Sequence, residues 1–353
     1  MVKQVELSID VTDAAGLDQP AHVAATVVLP EPAMLGSPAI ICFARPSSSY
    51  SRGYYTYELP GPAKGAQATF HADRGWIFAA LDMLGCGGSS QHDLDRLDYA
   101  TLAAAAHAAE QEILLRLANG VLLEDYPPVH QPVAIGIGHA LGAGLTIYQQ
   151  ARHRSYAGIA TLGFSAVHSH PSTPPGAQPI VAAWFPRDAA PEDCAEPLNA
   201  RALARATEGG PQDSAWTSLA WGFHYDDVPQ EVVEQDLRHY AAVAEEHSQA
   251  GEHEIMPWNS TVTPRCAARS TLTPGVVATE AAVLTVPVLC AMGVRDLVPD
   301  PLGEPRAFRS ARSIDLFVCP RMGHVHNFAG TRALMWERIH MFGQWCAAVN
   351  AAG

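Results

Sequence analysis

The sequence predicts an α/β protein: a mostly parallel central sheet with helices on both faces, interrupted once by an inserted, mainly helical lid. Three observations predict it. Short, apolar, β-branched runs alternate with longer helical patterns, as βαβ connections require. That alternation breaks once, between about residues 165 and 278, where Pro, Trp, His and acidic residues dominate. An insertion of about 110 residues in a compact chain is usually functional rather than a plain connection. The length, 353 residues, is enough for one α/β core plus such an insertion, so the core is assigned to 1–164 and 279–353 and the lid to 165–278.

The elements follow in order. Val5–Val11 and His22–Leu29 alternate apolar and polar residues across turn residues and predict an antiparallel hairpin. Pro38–Ala44 is the next strand, followed by the turn-rich Arg45–Arg52. A helix is expected over Ala66–Arg74, and a buried strand over Gly75–Asp82 that ends in Leu84-Gly-Cys-Gly-Gly-Ser-Ser90. Leu97–Asn119 is a long Ala/Leu-rich helix with Gly120 as its stop. Pro132–Gly138 is a strand that runs at once into a helix reaching about Arg152, and Ala157–Gly163 is another strand. Within the insertion the clearest helix is Glu231–Glu246. Strand character returns at Val286–Gly293 and Ile314–Cys319, before a last helix from about Thr331 to Val349.

Composition excludes several functions. With 22 basic and 36 acidic side chains the net charge is −14, which repels phosphates, so no nucleic-acid partner is expected. Only Lys3 and Lys64 are lysines, and neither lies four residues after a tyrosine, which leaves almost no place for Schiff-base or Tyr-x-x-x-Lys chemistry. No run approaches 18 apolar residues and no apolar segment follows the start, so neither a membrane span nor a signal peptide is expected. Seven scattered cysteines fit reduced, mostly buried thiols in a cytoplasmic protein. The 16 histidines form no convincing His-x-x-x-His or His-x-x-Glu-His pattern on a helix, so no metal site is expected.

The most informative segment is Val133-Ala-Ile-Gly-Ile-Gly-His-Ala-Leu-Gly-Ala-Gly144, an apolar strand entering Gly138-His-Ala-Leu-Gly142 and then a helix. It resembles the Gly-x-Ser-x-Gly nucleophile elbow of the α/β-hydrolase superfamily, where flanking glycines let a strained strand-to-helix turn pack closely. The central residue here is Ala140, which carries no hydroxyl and cannot form an acyl-enzyme. The rest of the resemblance spans nearly the whole chain. Asp296 in Met292-Gly-Val-Arg-Asp-Leu-Val-Pro299 matches the family's acid, and His324 in Met322-Gly-His324 matches its histidine, with His326 as the alternative. Asp82-Met-Leu-Gly-Cys-Gly-Gly-Ser89 matches the family's Asp-x-x-Gly-x-Gly-x-Ser turn.

The resemblance implies a Ser-His-Asp mechanism for a serine at position 140, with His324 as base and Asp296 orienting it. It also implies an oxyanion hole from the Leu141 N–H and a second donor at Ser47 or Ser48, in a loop where the family often has glycines. No cofactor is required. Two accounts of Ala140 compete: a serine replaced so as to trap substrate, or a natural loss of hydrolysis. The intact landmarks around it favour the first. The rivals from other classes are a non-catalytic binder using the same pocket and an NAD(P)-dependent dehydrogenase. The dehydrogenase rests on Gly136-x-Gly138-x-x-x-Gly142 alone, a weak pattern in a strand that is not the first of its unit.

Aromatic residues suggest the substrate. The insertion carries Trp184, Phe185, Trp216, Trp221, Phe223, Tyr225 and Trp258; of these Trp184, Trp221, Tyr225 and Trp258, with Tyr50 beside the expected oxyanion loop and His139 inside the elbow, are the candidate binding residues. They predict an apolar pocket roof and a medium-sized hydrophobic ester or lactone, while amides, carbamates and thioesters share the chemistry. His139 is expected to be packed beside the turn, and Asp226 or Asp227 to cap the helix that follows. A homodimer, through the lid or an exposed apolar helix, is compatible with the sequence.

Overall fold

The computed structural model describes residues 2–180, 184–187, 189, 214–244 and 255–352. Eight strands form one sheet in the order β1-β2-β4-β3-β5-β6-β7-β8. The strands are β1 Lys3–Asp10, β2 His22–Leu29, β3 Ile40–Arg45, β4 Ile77–Leu81, β5 Val133–His139, β6 Gly158–Leu162, β7 Val288–Gly293 and β8 Ile314–Cys319. The β1–β2 hairpin and the β2–β4 pair are antiparallel, and every later pair is parallel. The helices are α1 Thr12–Ala15, α2 Gly53–Thr56, α3 Gln67–Ala72, α4 Tyr99–Ala118, α5 Leu141–His153, α6 Ser214–Phe223, α7 Gln230–Ala244, α8 Arg265–Arg269, α9 Ala278–Val283 and α10 Arg332–Ala352.

The period of two in the strands divides the interior into two cores. Ile41 and Phe43 of β3 join Val288, Cys290 and Met292 of β7 on the face covered by α1, α4, α5 and α9. Ile40, Cys42 and Ala44 join Leu289 and Ala291 on the face covered by α3 and α10. Asp98 caps α4 by accepting from the Thr101 N–H at 2.7 Å, and Gly120 with φ +66° follows the helix's end. The central strands β3 and β5 are buried on both sides, which is why they read as continuous apolar runs. None of the described helices is long and apolar enough to cross a membrane.

Between β6 and β7 the chain leaves the sheet, and α6, α7 and α8 are its described helices. Helix α7 starts one residue before the expected Glu231, and Glu245 and Glu246 lie outside the described residues, as does Cys194. Among the described residues, Cys42, Cys86, Cys290, Cys319 and Cys346 are buried thiols outside any disulfide. The expected capping role of Asp226 and Asp227 is corrected: Asp226 chelates the Arg295 guanidinium at 2.6 and 2.9 Å, and Asp227 accepts from Arg321 at 3.2 Å. Both therefore tie the insertion to the loops after β7 and β8.

A buried ionic network underlies the C-terminal end of β3. Arg45, the last residue of β3, donates to Glu110 of α4 at 2.7 Å and also to Gln149 of α5 and to Tyr156. Tyr156 and Gln149 donate in turn to Glu110, at 2.6 Å each. Arg45 and Glu110 are 3% and 1% exposed, so water cannot replace either partner. Removing one member leaves a buried charge without compensation. Glu110→Ala is expected to cost about 3–5 kcal/mol, read as a lower urea midpoint with the slope of the transition unchanged.

Candidate active site

The site is built where β5 turns into α5. Ala140 has φ +49° and ψ −116°, a region that side chains rarely occupy. Close packing on both sides enforces the turn. A Cβ on Gly138 would lie 2.2 Å from the Gly142 carbonyl oxygen, and a Cβ on Gly142 would lie 2.5 Å from that of Pro46 and 2.6 Å from that of Arg45. A Cβ on Gly136 would lie 2.6 Å from the Tyr156 ring, so close packing accounts for all three glycines of the dehydrogenase pattern, and β5 is the fifth strand of the chain with neighbours on both sides.

Opposite the elbow, the loop after β7 carries Asp296 and the loop after β8 carries His324. His324 donates from Nδ1 to Asp296 Oδ1 at 2.8 Å, and both are nearly fully buried. The carboxylate also accepts from the N–H groups of Gly293 and Leu297, at 2.8 and 2.7 Å, so both of its oxygens are held. Gly163, which follows β6 with φ +58°, leaves the space that the pair occupies: a Cβ there would lie 2.8 Å from His324 Nδ1 and 2.9 Å from Asp296 Oδ1. With Nδ1 committed to the carboxylate, Nε2 is the ring atom left for chemistry at the pocket, which His324 lines.

His326 is placed differently. Its Nε2 faces Gln67 Oε1 at 3.3 Å and its Nδ1 faces the Tyr54 hydroxyl at 3.2 Å, away from Asp296. His139 donates from Nε2 to the His324 carbonyl at 2.9 Å, and its ring stacks on Tyr54 with centroids 5.2 Å apart. It backs the histidine loop rather than the pocket. Burial, reinforced by the neighbouring His324 and His326, holds the His139 imidazole well below the ordinary histidine range.

The pocket is a narrow cleft that opens to solvent. Ala140, Leu141, Ser47, Ser48, Ser49, Tyr50 and His324 line it on the side of the elbow. Leu141 opens α5, so its N–H belongs to the first helical turn, which has no intrahelical acceptor. The apolar walls are Phe223, Tyr240, Ala268, Leu272 and Leu297, with Thr271.

Of the candidate binding residues only Tyr50 lines this space. Trp184 is 60% exposed and lies edge-on to His168, centroids 5.5 Å apart. Trp221 and Tyr225 sandwich the Arg295 guanidinium at 4.5 and 4.2 Å, a cation–π arrangement that takes them out of the pocket. Trp258 is buried in the core behind Tyr50 and Tyr54. The roof comes from Phe223, at the end of α6, which belongs to the expected aromatic set, and from Tyr240 of α7, which does not. Phe223 stands in the right segment of sequence, but nothing in its local pattern separates it from Trp221. Tyr240 carries only the helical spacing of α7, and Tyr54 only its place in the aromatic-rich loop after β3.

The Asp82 turn also has a structural explanation. Asp82 bonds the Arg52 guanidinium, and its Oδ2 accepts from the Gly88 N–H at 2.7 Å. Ser89 Oγ accepts from the Ala24 N–H at 3.0 Å. Among the described residues, no group of three or more His, Cys, Asp or Glu side chains converges as a metal would require.

No protein-family model matches this sequence, and no curated protein matches it. The fold, however, is shared with many solved structures. Proline iminopeptidase from Mycobacterium smegmatis superposes with a TM-score of 0.58 at 15% identity, covering 98% of this chain and 99% of that one. A thermophilic esterase from Thermogutta terrifontis gives 0.55 at 13% identity over 97% and 98% of the two chains. A haloalkane dehalogenase loop variant from Bradyrhizobium elkanii gives 0.55 at 13% identity over 100% and 99%. The chain has the α/β-hydrolase fold.

The histidine cluster makes stability depend on pH. Burial, then the neighbouring His324, pushes the His326 imidazole down to about 3 from an ordinary value of 6.5. The unfolded chain then binds a proton at His326 that the folded chain refuses. His326 stabilises the fold fully above about pH 6.5, and that stability is lost as pH falls toward 3. His326→Gln is expected to reduce the pH slope of unfolding free energy in this window by up to about 1.4 kcal/mol per pH unit, checked by urea titrations at pH 4, 5, 6 and 7.

Proposed function

We propose that this chain carries the site of a carboxylic ester or lactone hydrolase of the Ser-His-Asp type, with alanine standing where the nucleophilic serine acts. The observation that carries the reading is the strained backbone of Ala140 kept opposite a buried His324–Asp296 pair. Holding a non-glycine residue in such a conformation costs about 1–3 kcal/mol. A pocket used only for binding gains nothing from that geometry, whereas acyl transfer needs it.

With serine at 140, the hydroxyl would attack the substrate carbonyl and pass its proton to His324 Nε2. Asp296 would keep the Nδ1 proton in place and offset the charge of the imidazolium. The developing oxyanion would meet the Leu141 N–H and a donor from Ser47 or Ser48. His324 would then protonate the leaving alcohol, and water would take the reverse path to release the acid. Alanine at 140 blocks the first step and leaves binding intact, which fits a serine replaced so that substrate is held uncleaved. Phe223, Tyr240, Leu272 and Leu297 along the walls support a hydrophobic acyl or lactone ring.

Ala140→Ser tests this. The variant is expected to hydrolyse aryl esters with a burst of one product equivalent per chain, to favour medium over acetyl chains, and to lose about 10²–10⁴-fold in kcat on adding His324→Gln. The chain with Ala140 is expected to show no burst. If the serine variant turns over no ester, lactone, amide or thioester, the reading falls and a non-catalytic binding protein takes its place.

A further inference from the structure

The insertion meets the oxyanion loop through a buried polar network. Tyr50 follows Ser47–Ser49, and its hydroxyl donates to Asp236 of α7 at 2.7 Å, with the second carboxylate oxygen at 2.9 Å. Asp236 Oδ2 also accepts from His224 Nε2 at 2.9 Å. All three side chains are buried, and among the described residues no lysine or arginine pairs with Asp236. The loop is strapped from the same side by backbone. Tyr50 bridges Asn259, the Ser260 N–H donates to the Ser49 carbonyl at 3.0 Å, and the Ser51 N–H donates to that of Trp258 at 2.9 Å. His239 of α7 donates to the Ser49 and Ser260 carbonyls at 3.3 and 2.9 Å.

A buried carboxylate is tolerated only while its donors stay in place, and a buried phenol needs an acceptor. Asp236, Tyr50 and His224 satisfy one another in a single register of α7 against the loop. A shift of Ser47–Ser48 would move Tyr50 and strand the carboxylate. We propose that Asp236, acting through Tyr50 with His224 as its second donor, is a positioning residue that sets the Ser47–Ser48 amides for oxyanion binding. The lid helix is thereby part of the oxyanion apparatus as well as the roof. This rests on the reading above that the Ser47–Ser48 loop donates to the oxyanion.

The test uses the chain with Ala140 in place and reads binding, so it does not depend on turnover. Hexylphosphonate mimics the tetrahedral oxyanion, and 1-hexanol shares its chain without the anionic oxygens. Calorimetry is expected to show that Asp236→Asn weakens hexylphosphonate by about tenfold and changes 1-hexanol by less than about twofold, and that Tyr50→Phe, whose ring lines the pocket, weakens hexylphosphonate by about tenfold more than it changes 1-hexanol. His224→Gln, which keeps an N–H donor, should retain the parent's preference for the anion, and His224→Leu should lose it. Equal loss of both ligands, or no loss of either, overturns the proposal and makes the network a simple latch. A parent chain that binds 1-hexanol but not hexylphosphonate overturns it too. Tyr50→Phe removes one oxygen, so its fold, checked by circular dichroism, keeps the comparison valid if Asp236→Asn unfolds. Failure of the hydrolase reading would show separately, as an Ala140→Ser variant without turnover.

Discussion

The backbone at Ala140 is the constraint on which the rest of the site depends. Three segments converge there more closely than side chains would allow: the end of β5, the first turn of α5, and the carbonyls of Arg45 and Pro46 at the end of β3. The contact at Gly142 fixes α5 against the start of the Ser47–Ser49 loop, so the helix amides and the loop are positioned by one approach rather than two. Arg45 ties the same point downward. Its side chain crosses to α4 and α5 through Glu110 and Gln149, and its carbonyl accepts from the Tyr55 hydroxyl at 2.8 Å. A charge network that would add little at the surface matters here because its members cannot find water.

The other half of the site depends on the insertion. The His324 N–H donates to the Gly222 carbonyl at 2.9 Å, and the Val325 N–H to that of Phe223 at 3.1 Å, so the histidine loop is hydrogen-bonded to the end of α6. From the opposite side His139 and Tyr54 pin it, and Asn327 donates its amide N–H to the Tyr54 hydroxyl at 3.1 Å. The imidazole is therefore placed by core and insertion together. The same holds for the Ser47–Ser49 loop, with Ser49 and Ser51 bonded to the 258–260 segment. The described part of the insertion supports both halves of the reactive geometry, and Phe223 does so with its backbone while lining the pocket with its ring.

How much of this was legible in the sequence follows from the kind of constraint each residue meets. Gly138 and Gly142 could be read because a backbone collision admits only glycine, and the need recurs at fixed spacing around position 140. Asp296 and His324 were reached through the resemblance, which expects an acid and a histidine after the two strands that periodicity marks as β7 and β8. The separation of His324 from His326 needed coordinates, since one residue between them changes which ring meets Asp296. The aromatic roof was misplaced for a similar reason. Richness in indole and phenol rings marks a segment that packs, but not what it packs against, so Trp221 and Tyr225 went to Arg295 and Trp184 to the surface. Tyr50 and Asp236 lie 186 residues apart, and no local pattern joins them.

The choice of alanine at position 140 has its own physical content. Glycine reaches positive φ without penalty, so a chain freed from catalysis could relax this turn with one substitution. Alanine keeps the Cβ and its strain while removing only the hydroxyl. Nor has the opposing machinery relaxed. A buried imidazole–carboxylate pair gives little back in stability for the desolvation of its carboxylate, and it is best used where a positive charge must appear on the ring during reaction. Strain on one side and a desolvated carboxylate on the other are both costs to the folded state. Their persistence together, around a missing oxygen, favours a site configured for acyl transfer over one configured for binding alone.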